Sequence, residues 1–548
     1  MAASTGASPW GGPVEPSARP IHGRHLLLPA GGAAVDADLP PDEARDAAAE
    51  WLDLACRLAA PFGLGPAEAR VAGGHVSLTL AAPPDLRELA VIVLDQAVGA
   101  ATVQEISARP DPALRALYAA AAAAEIPIVH DAVEVVLGFG AGAVRLDRKR
   151  LPRDPATVLA GVQHIPIVRI TGTNGKTTTA NLLAAIATAA GETAGVATTE
   201  GVRVGPPSDG APGTVTAAAP SAARAARMLG RDPRVTFAVL ETGRGGLMRR
   251  GLLFDGADAA IVTNVSADHL GEWGIDTVEA LARVKLTVAE GLRAGGALVV
   301  SADNPVLTEI LAEWPGAARV RTLRFSARRQ AEGWADEHTV HVAGLELPIA
   351  ELPITLGGAA RYNVENALAA ALAARAVGLG AEAVDAGLRA LKPTATDNPG
   401  RGNLYVVRGA MVIVDNVSNA EGMTRMGELA KALDGDRTTL VFGLSAPRSP
   451  ELVRQLGAAA AALGCVRYVV KPIPPTQDPG PGDEVDRLCA ALRDAGVGEE
   501  RIAVATDERE AVRMVLDHLA PGDLALLMVH HDLRAVQRQL EAAGAIPG

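Results

Sequence analysis

The feature that most constrains this chain is a glycine-containing turn between a strand-like run and a helix-like run. Residues 165–170 are short and apolar, residues 177–190 form an apolar helical pattern, and the turn from Gly172 to Lys176 lies between them. Such a turn directs backbone N–H groups and a helix N-terminus at one point, which stabilises phosphate. Lys176 can reach terminal phosphates and Thr177 can ligate Mg²⁺. Because the glycine spacing departs from the common nucleotide-binding pattern, an ordinary turn with a surface lysine is the alternative.

Strand-like and helix-like runs alternate after this turn. Strand patterns at 237–241 and 259–264 are followed by a helix pattern at 278–291. Beyond residue 396 the alternation begins again, with strand patterns at 404–407, 411–415, 439–443, 466–470 and 524–529. This order is typical of parallel sheets with crossover helices. It predicts an α/β fold in which a central P-loop domain is followed by a C-terminal Rossmann-like α/β domain.

The region before the turn has a mixed pattern. Residues 75–80 alternate like a strand, whereas residues 85–98 and 112–125 read as helices, the second ending before the strand-like run 126–129. A small α+β domain is therefore expected ahead of the P-loop domain. The predicted division is a disordered tail at 1–20, an N-terminal α+β domain at 21–155, a central nucleotide-binding domain at 156–395 and a C-terminal α/β domain at 396–548.

Composition excludes several classes of protein. Of the 548 residues 49% are hydrophobic and 21% charged, which fits a soluble globular protein. The 51 Lys and Arg against 63 Asp and Glu disfavour a nucleic-acid-binding patch. The three cysteines lack the Cys-x-x-Cys spacing of zinc sites. No apolar run is long enough to cross a membrane, and the first residues lack a targeting pattern. We expect a cytoplasmic protein without nucleic-acid or membrane partners.

Three polar positions follow the predicted strands of the central domain. Glu241 ends one strand, and Asp268-His269 follow the next. In an open α/β sheet ligands bind at the carboxyl ends of strands, where a carboxylate can hold a metal beside the nucleotide. Lys285 follows 16 residues after His269 in the helical run. Taken singly, a capping glutamate, a hydrogen-bonded histidine and a solvated lysine are the alternatives.

Taken together, these motifs follow one another along the chain in an order that resembles that of the Mur ligase family. They are Gly-Thr-Asn-Gly-Lys-Thr at 172–177, then Glu241, then Asp268-His269 and finally Lys285. A closer resemblance is to the Mur-ligase-like domain of the cyanophycin synthetases, over about residues 160–430. It is carried by Thr-Thr-Glu-Gly at 198–201, by the run 241–251, by Gly-Ile-Asp-Thr at 274–277 and by Ala-Arg-Val-Lys at 282–285.

The resemblance implies an ATP-dependent ligase that joins an amine to a carboxylate of an amino acid or peptide through an acyl phosphate. It implies ATP, two Mg²⁺ ions and a carbamylated Lys285. The implied catalytic residues are Lys176, His269, Lys285 and Arg401. The implied nucleotide-binding residues are Gly172, Thr173, Asn174, Gly175, Lys176, Thr177, Thr178, Asn366, Arg401 and Asp415. The implied metal ligands are Thr177, Glu241, His269 and Lys285.

Some segments depart from the pattern of this family. Residues 415–420 read Asp-Asn-Val-Ser-Asn-Ala, and residues 445–448 read Ser-Ala-Pro-Arg, where the family has other motifs. The ATP-grasp domain of the cyanophycin synthetases has no counterpart here, so one kind of amide bond is expected. Two alternative functions remain: a non-catalytic nucleotide-binding partner of another ligase, and a P-loop kinase or ATPase.

The sequence leaves the substrate and the oligomeric state open. Three arginines either bind an acidic acceptor or form a solvated basic turn: Arg244, Arg249 and Arg250. A homo-oligomer is compatible with the sequence.

Overall fold

The N-terminal region contains two separate small sheets in this computed structural model of the protein, which describes residues 16–100, 110–206, 222–444, 448–473 and 483–547. The first sheet has the order β1-β2-β4-β3 and is covered by two helices. Its elements are β1 (Arg19–Ile21), β2 (Gly32–Asp38), α1 (Ala44–Ala59), β3 (Ala67–Ala72), β4 (His75–Ala81) and α2 (Arg87–Ala97).

The second small sheet is a three-stranded antiparallel meander with its own core. Its elements are α3 (Pro112–Ala123), β5 (Ile128–His130), β6 (Glu134–Leu137), β7 (Val144–Asp147) and α4 (Pro155–Leu159). The predicted strand at 75–80 and both predicted helices are thus confirmed. The single α+β domain expected at 21–155 consists of two sheets with separate cores. Of the predicted tail at 1–20, residues 1–15 lie outside the described residues and β1 includes residues 19 and 20.

The central region is a ten-stranded sheet with the order β10-β9-β11-β8-β12-β13-β14-β15-β16-β17. Strands β9, β11, β8, β12, β13, β14 and β15 are parallel, and β10, β16 and β17 are antiparallel. The strands are β8 (Ile167–Thr171), β9 (Ala194–Thr198), β10 (Gly201–Val204), β11 (Phe237–Glu241), β12 (Ala257–Val262), β13 (Leu292–Ser301), β14 (Arg321–Ser326), β15 (Gly333–Ala335), β16 (Thr339–Val342) and β17 (Leu345–Pro348).

Helices cover both faces of the central sheet. This explains why β8, β11 and β12 are buried along their whole length, since parallel strands with two covered faces are apolar throughout. One face packs against α5 (Lys176–Ala189), α10 (Arg361–Ala376) and α11 (Ala381–Ala390). The other packs against α6 (Ala222–Gly230), α7 (Arg244–Arg250), α8 (Val278–Glu290) and α9 (Pro305–Glu313).

The C-terminal region is a second, seven-stranded sheet with the order β22-β21-β20-β23-β19-β18-β24. Its strands are β18 (Asn403–Val407), β19 (Ala410–Asp415), β20 (Thr438–Phe442), β21 (Arg467–Val470), β22 (Ile502–Val504), β23 (Leu524–Met528) and β24 (Ile546–Pro547). Its helices are α12 (Ala420–Leu433), α13 (Pro450–Ala461), α14 (Glu484–Asp494), α15 (Glu508–Leu516) and α16 (Leu533–Ala542). Five strands from β22 to β19 run parallel, so the predicted α/β class with a Rossmann-like second domain is confirmed.

Strand register determines where the candidate site lies. Glu241 of β11 pairs with Ile170 of β8, and Val262 of β12 pairs with Thr171 of the same strand. The segments that follow these three strands therefore leave the sheet side by side at its carboxyl edge, where open α/β sheets bind ligands. Among the described residues, the structure contains no helix long and apolar enough to span a membrane.

Candidate active site

The glycine turn at residues 172–176 is a tightly packed loop that leads from β8 into α5, and we call it the P-loop. Gly175 has a φ of 84°, a left-handed conformation that glycine adopts without a steric penalty, and α5 begins at the next residue. A Cβ atom on Gly175 would lie 2.2 Å from Asn366 Oδ1, and one on Gly172 would lie 1.8 Å from Thr263 Oγ1. Any side chain at these two positions would collide with residues that hold the loop. Glycine is therefore required by contact as well as by backbone conformation.

The segment after β12 holds this loop in place. Thr263 Oγ1 donates a hydrogen bond to the Asn174 carbonyl at 2.6 Å, and Asn264 Nδ2 donates to the same oxygen at 3.1 Å. In return, the Asn174 N–H donates to Asn264 Oδ1 at 2.9 Å, and the Thr173 N–H donates to the Asn264 carbonyl at 3.0 Å. A loop fixed by side chains of a neighbouring strand end is preorganised, so little rearrangement is needed when an anion binds.

Lys176 lies at the first position of α5 and bends back over the loop. Its Nζ donates to the Thr173 carbonyl at 2.9 Å. The ammonium therefore lies against the backbone of the turn, at the N-terminus of the helix. Both features favour a negative charge at this point. The role of Lys176 at terminal phosphates stays a prediction.

Thr177 and Glu241 form a buried pair beside the loop. Thr177 Oγ1 donates to Glu241 Oε2 at 2.8 Å, and the Thr199 N–H donates to the same oxygen at 3.3 Å. Glu241 is only 5% exposed, and its other oxygen, Oε1, has no hydrogen-bond partner among the described residues. A buried carboxylate oxygen without a partner is costly. A hydroxyl and a free carboxylate oxygen side by side are ligands that suit Mg²⁺.

Lys285 reaches the other side of the loop from α8. Its Nζ donates to the Gly172 carbonyl at 2.7 Å, and the residue is 4% exposed. Burial, reinforced by the nearby charge of Lys176, holds the pKa of the Lys285 ammonium well below its ordinary value, although Asp268 acts in the opposite direction. The amine is thereby shifted toward its uncharged form, which is the nucleophilic one.

His269 lies in the segment after β12, at a φ of 54°. Its Nδ1 is 2.6 Å from Glu272 Oε1, and its two ring nitrogens are 2.9 and 3.0 Å from guanidinium nitrogens of Arg448. Lys285 instead contacts the P-loop, so the two predicted ligands of a second ion have different partners here. Among the described residues there is no group of three or more His, Cys, Asp or Glu side chains arranged for a metal ion.

Asn366 places α10 against the P-loop. Its Nδ2 donates to Asn363 Oδ1 at 3.0 Å, and its Oδ1 accepts from Thr179 Oγ1 at 3.3 Å. A pocket of about 590 Å³ opens at the start of the same helix. It is lined by Ala327, Arg328, Ala335, Asp336, Glu337, His338, Gly357, Gly358 and Arg361. Asn366 itself does not line this pocket, and its role in binding adenine stays a prediction.

Arg401 and Asp415 approach the site from the C-terminal sheet. Arg401 Nη2 forms an ion pair with Glu200 of the central region at 2.9 Å. Asp415 accepts from the Asn416 N–H at 2.7 Å, and burial raises the pKa of its carboxyl group while the charge of Arg401 lowers it. In the segment between α11 and β18, Asn398 Nδ2 donates to the Thr178 hydroxyl at 3.3 Å.

Two contacts between the sheets were not predicted from the sequence. Asn174 and Asn419 exchange amide hydrogen bonds at 3.1 and 3.0 Å, so the N-cap of α12 touches the P-loop itself. Arg448, 3% exposed at its side chain, forms an ion pair with Asp268 at 3.1 Å. Both residues belong to segments whose sequence departs from the family pattern, and that departure was the only signal. Residues 445–447 of the second segment lie outside the described residues.

The fold and the site thus define a class: a protein with a P-loop at the carboxyl edge of one α/β sheet and a second α/β region beside it. Residues 170–374 match the Mur ligase middle domain, and residues 400–529 match the Mur ligase, glutamate ligase domain. The chain belongs to the Mur ligase family by these two domains, and the predicted resemblance is confirmed.

Two curated relatives are similar to this chain. Cyanophycin synthetase of Crocosphaera subtropica is 34% identical over 386 residues, which is 68% of this chain and 43% of that protein. UDP-N-acetylmuramoyl-L-alanyl-D-glutamate–2,6-diaminopimelate ligase of Caulobacter vibrioides is 28% identical over 410 residues, 71% of this chain and 79% of that protein. The aligned part thus covers less than half of the cyanophycin synthetase.

A solved structure supports the fold. Bifunctional folylpolyglutamate synthase/dihydrofolate synthase from Yersinia pestis, complexed with AMPPNP and Mn ion, matches with a TM-score of 0.51 and 21% identity. The match covers 69% of this chain and 89% of that one. At this identity the likeness is one of fold.

Proposed function

We propose that this protein is an ATP-dependent ligase that forms an amide bond between a carboxylate and an amine. The observation that carries the proposal is the buried Thr177–Glu241 pair, whose free carboxylate oxygen lies beside a preorganised phosphate loop. A buried lysine amine, that of Lys285, contacts the opposite side of the same loop and supports the proposal. The names of the relatives, which include cyanophycin synthetase and a diaminopimelate-adding ligase, support the same reaction class.

The nucleotide would lie along the carboxyl edge of the central sheet. Its phosphates would bind the N–H groups of residues 172–178 and Lys176, and its base would lie near Asn366 of α10. Thr177 and Glu241 would hold one Mg²⁺ ion, whose role is to neutralise phosphate charge. His269 and Lys285 are proposed as ligands of a second ion.

The reaction would proceed in two displacements. An oxygen of the substrate carboxylate attacks the γ-phosphorus and ADP leaves, which gives an acyl phosphate. The amine nitrogen then attacks the acyl carbon, phosphate leaves and the nitrogen loses its proton. Lys176 and Arg401 offset the negative charge that gathers between carboxylate and phosphates, so the protein contributes positioning and electrostatics rather than a nucleophile.

Arg401 has to change partner before it can act in this way. It is paired with Glu200 at 2.9 Å, and it lies just before β18 of the C-terminal sheet. Movement of the C-terminal region toward the nucleotide would release the guanidinium from Glu200 and bring it to the γ-phosphate. Such closing motions complete many active sites.

Lys285 is proposed to react with CO₂ to form a carbamate. Its amine nitrogen would bond to the carbon of CO₂ and lose a proton, which turns a cation into a carboxylate-like ligand. Burial of the amine favours the uncharged form that this addition needs. Incubation with ¹³C-bicarbonate should give one carbamate carbon signal in the protein, absent from Lys285→Arg.

For the acceptor we propose an amino acid or peptide with an acidic group, such as an aspartate-containing peptide. Arg244 lies at the start of α7, forms an ion pair with Glu272 and stacks 4.9 Å from the centroid of the Trp273 ring. Arg249 lies 5.0 Å from the same ring centroid. These guanidinium groups border the site and favour an anionic substrate. The cytoplasmic location and a homo-oligomer stay predictions.

Product analysis tests this proposal. Purified protein with ATP and Mg²⁺ is incubated with a panel of amino acids and aspartate-containing peptides, and phosphate release and product mass are followed. We expect release that depends on one acid and one amine, with a product lighter than their sum by one water. Phosphate release that needs neither substrate would contradict the proposal.

A second candidate function is a non-catalytic nucleotide-binding subunit of another ligase. It is favoured by Arg448, whose Nη2 lies 3.0 Å from Nε2 of His269 and so competes with a metal ion for that nitrogen. This candidate predicts ATP binding without turnover for every pair in the panel. Exchange of Arg448 for methionine would then leave turnover absent.

A further inference from the structure

A cluster of basic side chains lies where the two N-terminal sheets meet the central region. Its members come from different elements: His22 follows β1, Arg87 begins α2, His130 ends β5 and Arg227 lies on α6. Tyr118 of α3 completes the group, and its Oη is 2.8 Å from His130 Nδ1. We call this group the basic cleft.

Arg87 forms the floor of the basic cleft. It is only 4% exposed, yet its Nε and Nη1 atoms have no hydrogen-bond partner among the described residues. Its Nη2 atom has a single long contact of 3.4 Å with the Ala30 carbonyl. The guanidinium lies 5.3 Å from the centroid of the Tyr118 ring. A buried guanidinium is normally paired, because an unpaired buried charge is very costly.

His22 and Arg227, at the sides of the basic cleft, also contain buried nitrogen atoms without a hydrogen bond in the part of the chain that the structure describes. These atoms are His22 Nδ1 and Arg227 Nε. The rings of His22 and His130 meet edge to face, with centroids 6.0 Å apart. His22 and Arg227 are half-buried rather than fully enclosed, so solvent reaches the cleft. Four nitrogen atoms without a hydrogen-bond partner among the described residues, two of them on Arg87, therefore belong to one cluster.

The nearby carboxylates of Asp85 and Asp131 offset the charges of Arg87 and Arg227 only from a distance, because each is bound to another arginine. Asp85 pairs with Arg115 at 2.6 Å, Asp111 pairs with Arg148, and Asp131 pairs with Arg231 at 2.5 Å.

The pKa values of the two histidines of the cleft are lowered by burial and by the neighbouring positive charges. Burial, with the charges of Arg227 and Arg87, lowers the pKa of His22 to about 2. Burial, with the charges of Arg87, Arg148 and Arg227, lowers the pKa of His130 to about 4. The basic cleft therefore lacks a counter-charge of its own.

We propose that the basic cleft binds an oxyanion, a carboxylate or a phosphate group, which supplies the missing counter-charge to Arg87 and Arg227. A planar guanidinium with two free N–H groups matches the two oxygens of such a group. The cleft is separate from the P-loop, which is built from β8, β12 and α5, whereas no residue of the cleft belongs to those elements.

The cleft is nevertheless connected to the candidate active site through α7. This helix runs from Arg244, beside Glu272, to Arg250, whose charge acts on His22. Its seven residues span about 10 Å along the helix axis. An extended acidic ligand can therefore reach from the cleft toward the edge where the carboxylate reacts. Binding of the oxyanion itself does not depend on the ligase reaction.

Thermal unfolding of the full chain tests the proposal. The protein carries Lys176→Met to weaken phosphate binding at the P-loop, and it is titrated at low ionic strength with inorganic phosphate, succinate or tetra-aspartate. The comparison variants are Arg87→Met, Arg227→Met and, as a matched control, Arg234→Met, which removes an exposed arginine paired with Asp232.

We expect at least one anion to raise the unfolding temperature of the parent and the control, with at least tenfold weaker binding in the two cleft variants. A response to phosphate alone identifies a phosphate ligand, and a response to the carboxylates identifies a carboxylate ligand. In anion-free buffer Arg87→Met should be as stable as the control, since it removes an unpaired charge. Equal anion responses in all variants, no response in the parent, or a marked loss of stability of Arg87→Met without anion would overturn the proposal.

Discussion

At the scale of single residues, the proposed active site contains polar atoms with too few partners among the residues that the structure describes. Glu241 Oε1 is buried without a hydrogen bond among the described residues, beside a hydroxyl that already binds the other carboxylate oxygen. A cation bound there, as proposed, would satisfy this atom. Lys285 is the complementary case, an amine buried next to another amine.

Exchange of Glu241 for glutamine tests the metal proposal. The amide can still accept from Thr177, so the fold should be kept, but the negative charge toward the ion is lost. We expect the Mg²⁺ concentration for half-maximal nucleotide binding to rise by about tenfold or more. The measurement is nucleotide binding at varied Mg²⁺, with exposed Glu313→Gln as the control. An unchanged Mg²⁺ requirement would contradict the assignment.

Exchange of Lys285 for arginine tests the proposed carbamate at this residue. Arginine stays charged and cannot form a stable carbamate, so turnover should fall by about 10²-fold or more, in the range seen when one electrostatic group of an active site is lost. Turnover is measured as phosphate release with saturating substrates. Lys431→Arg, at an exposed position on α12, serves as the control. Wild-type turnover in Lys285→Arg would remove the argument for a carbamate.

Much of the site follows from residues that are close in sequence. The P-loop could be predicted because strand, turn and helix are contiguous, and Glu241 because it ends an apolar strand. Asn419 and Arg448 could not, because their contacts join segments 245 and 180 residues apart and depend on how two sheets meet.

At the scale of elements, the apolar runs predicted the strands well, because buried parallel strands carry apolar residues on both faces. The strands β11, β19, β20 and β23 lie where the pattern put them, within a residue or so at each end. The N-terminal region was harder. Its short strands pair locally into two sheets, and a pattern of single strands does not indicate which strands pair.

The first N-terminal sheet contains an element-scale pH dependence. Despite burial, which lowers the pKa, hydrogen bonds to Asp36 and Asp38 raise the pKa of His75 to about 9 from an ordinary 6.5. A raised folded-state pKa stabilises the fold fully below the unfolded value. The stabilisation then declines as the pH rises and is lost above about 9.

We therefore expect His75→Gln to destabilise β4 and its neighbours most near pH 6. The difference from the wild type should shrink toward zero between pH 6 and pH 10, because neutral histidine gains little from the two carboxylates. Hydrogen exchange of residues 75–81 at each pH gives the measurement. If the difference in hydrogen exchange between wild type and His75→Gln grew with pH, protonated His75 would not stabilise the sheet.

At the scale of the whole molecule, the two large sheets meet at the P-loop and at His269. Asn419 binds the loop, and Arg448 reaches across to Asp268 and His269. Nucleotide binding and the position of the C-terminal region are therefore expected to be coupled, since the same loop contacts both.

Exchange of Arg448 for methionine tests this coupling. Loss of a buried ion pair between the sheets should weaken their contact by about 2 kcal/mol, because Asp268 is left without its partner. We expect faster hydrogen exchange in residues 264–272 and unchanged exchange in β20 and β21. Arg454→Met, which removes an exposed pair with Glu451, is the control. Equal exchange in both variants would mean that Arg448 does not hold the sheets together.

In the proposed reaction, ATP activates a carboxylate at the P-loop. This activation can be followed with acids of the substrate panel labelled with ¹⁸O in the carboxylate, supplied with ATP, Mg²⁺ and the amines. We predict that the released phosphate carries one ¹⁸O atom, because the carboxylate oxygen that attacks phosphorus leaves with the phosphate. Unlabelled phosphate in every mixture that consumes ATP would mean that water attacks instead, and the protein would be an ATPase.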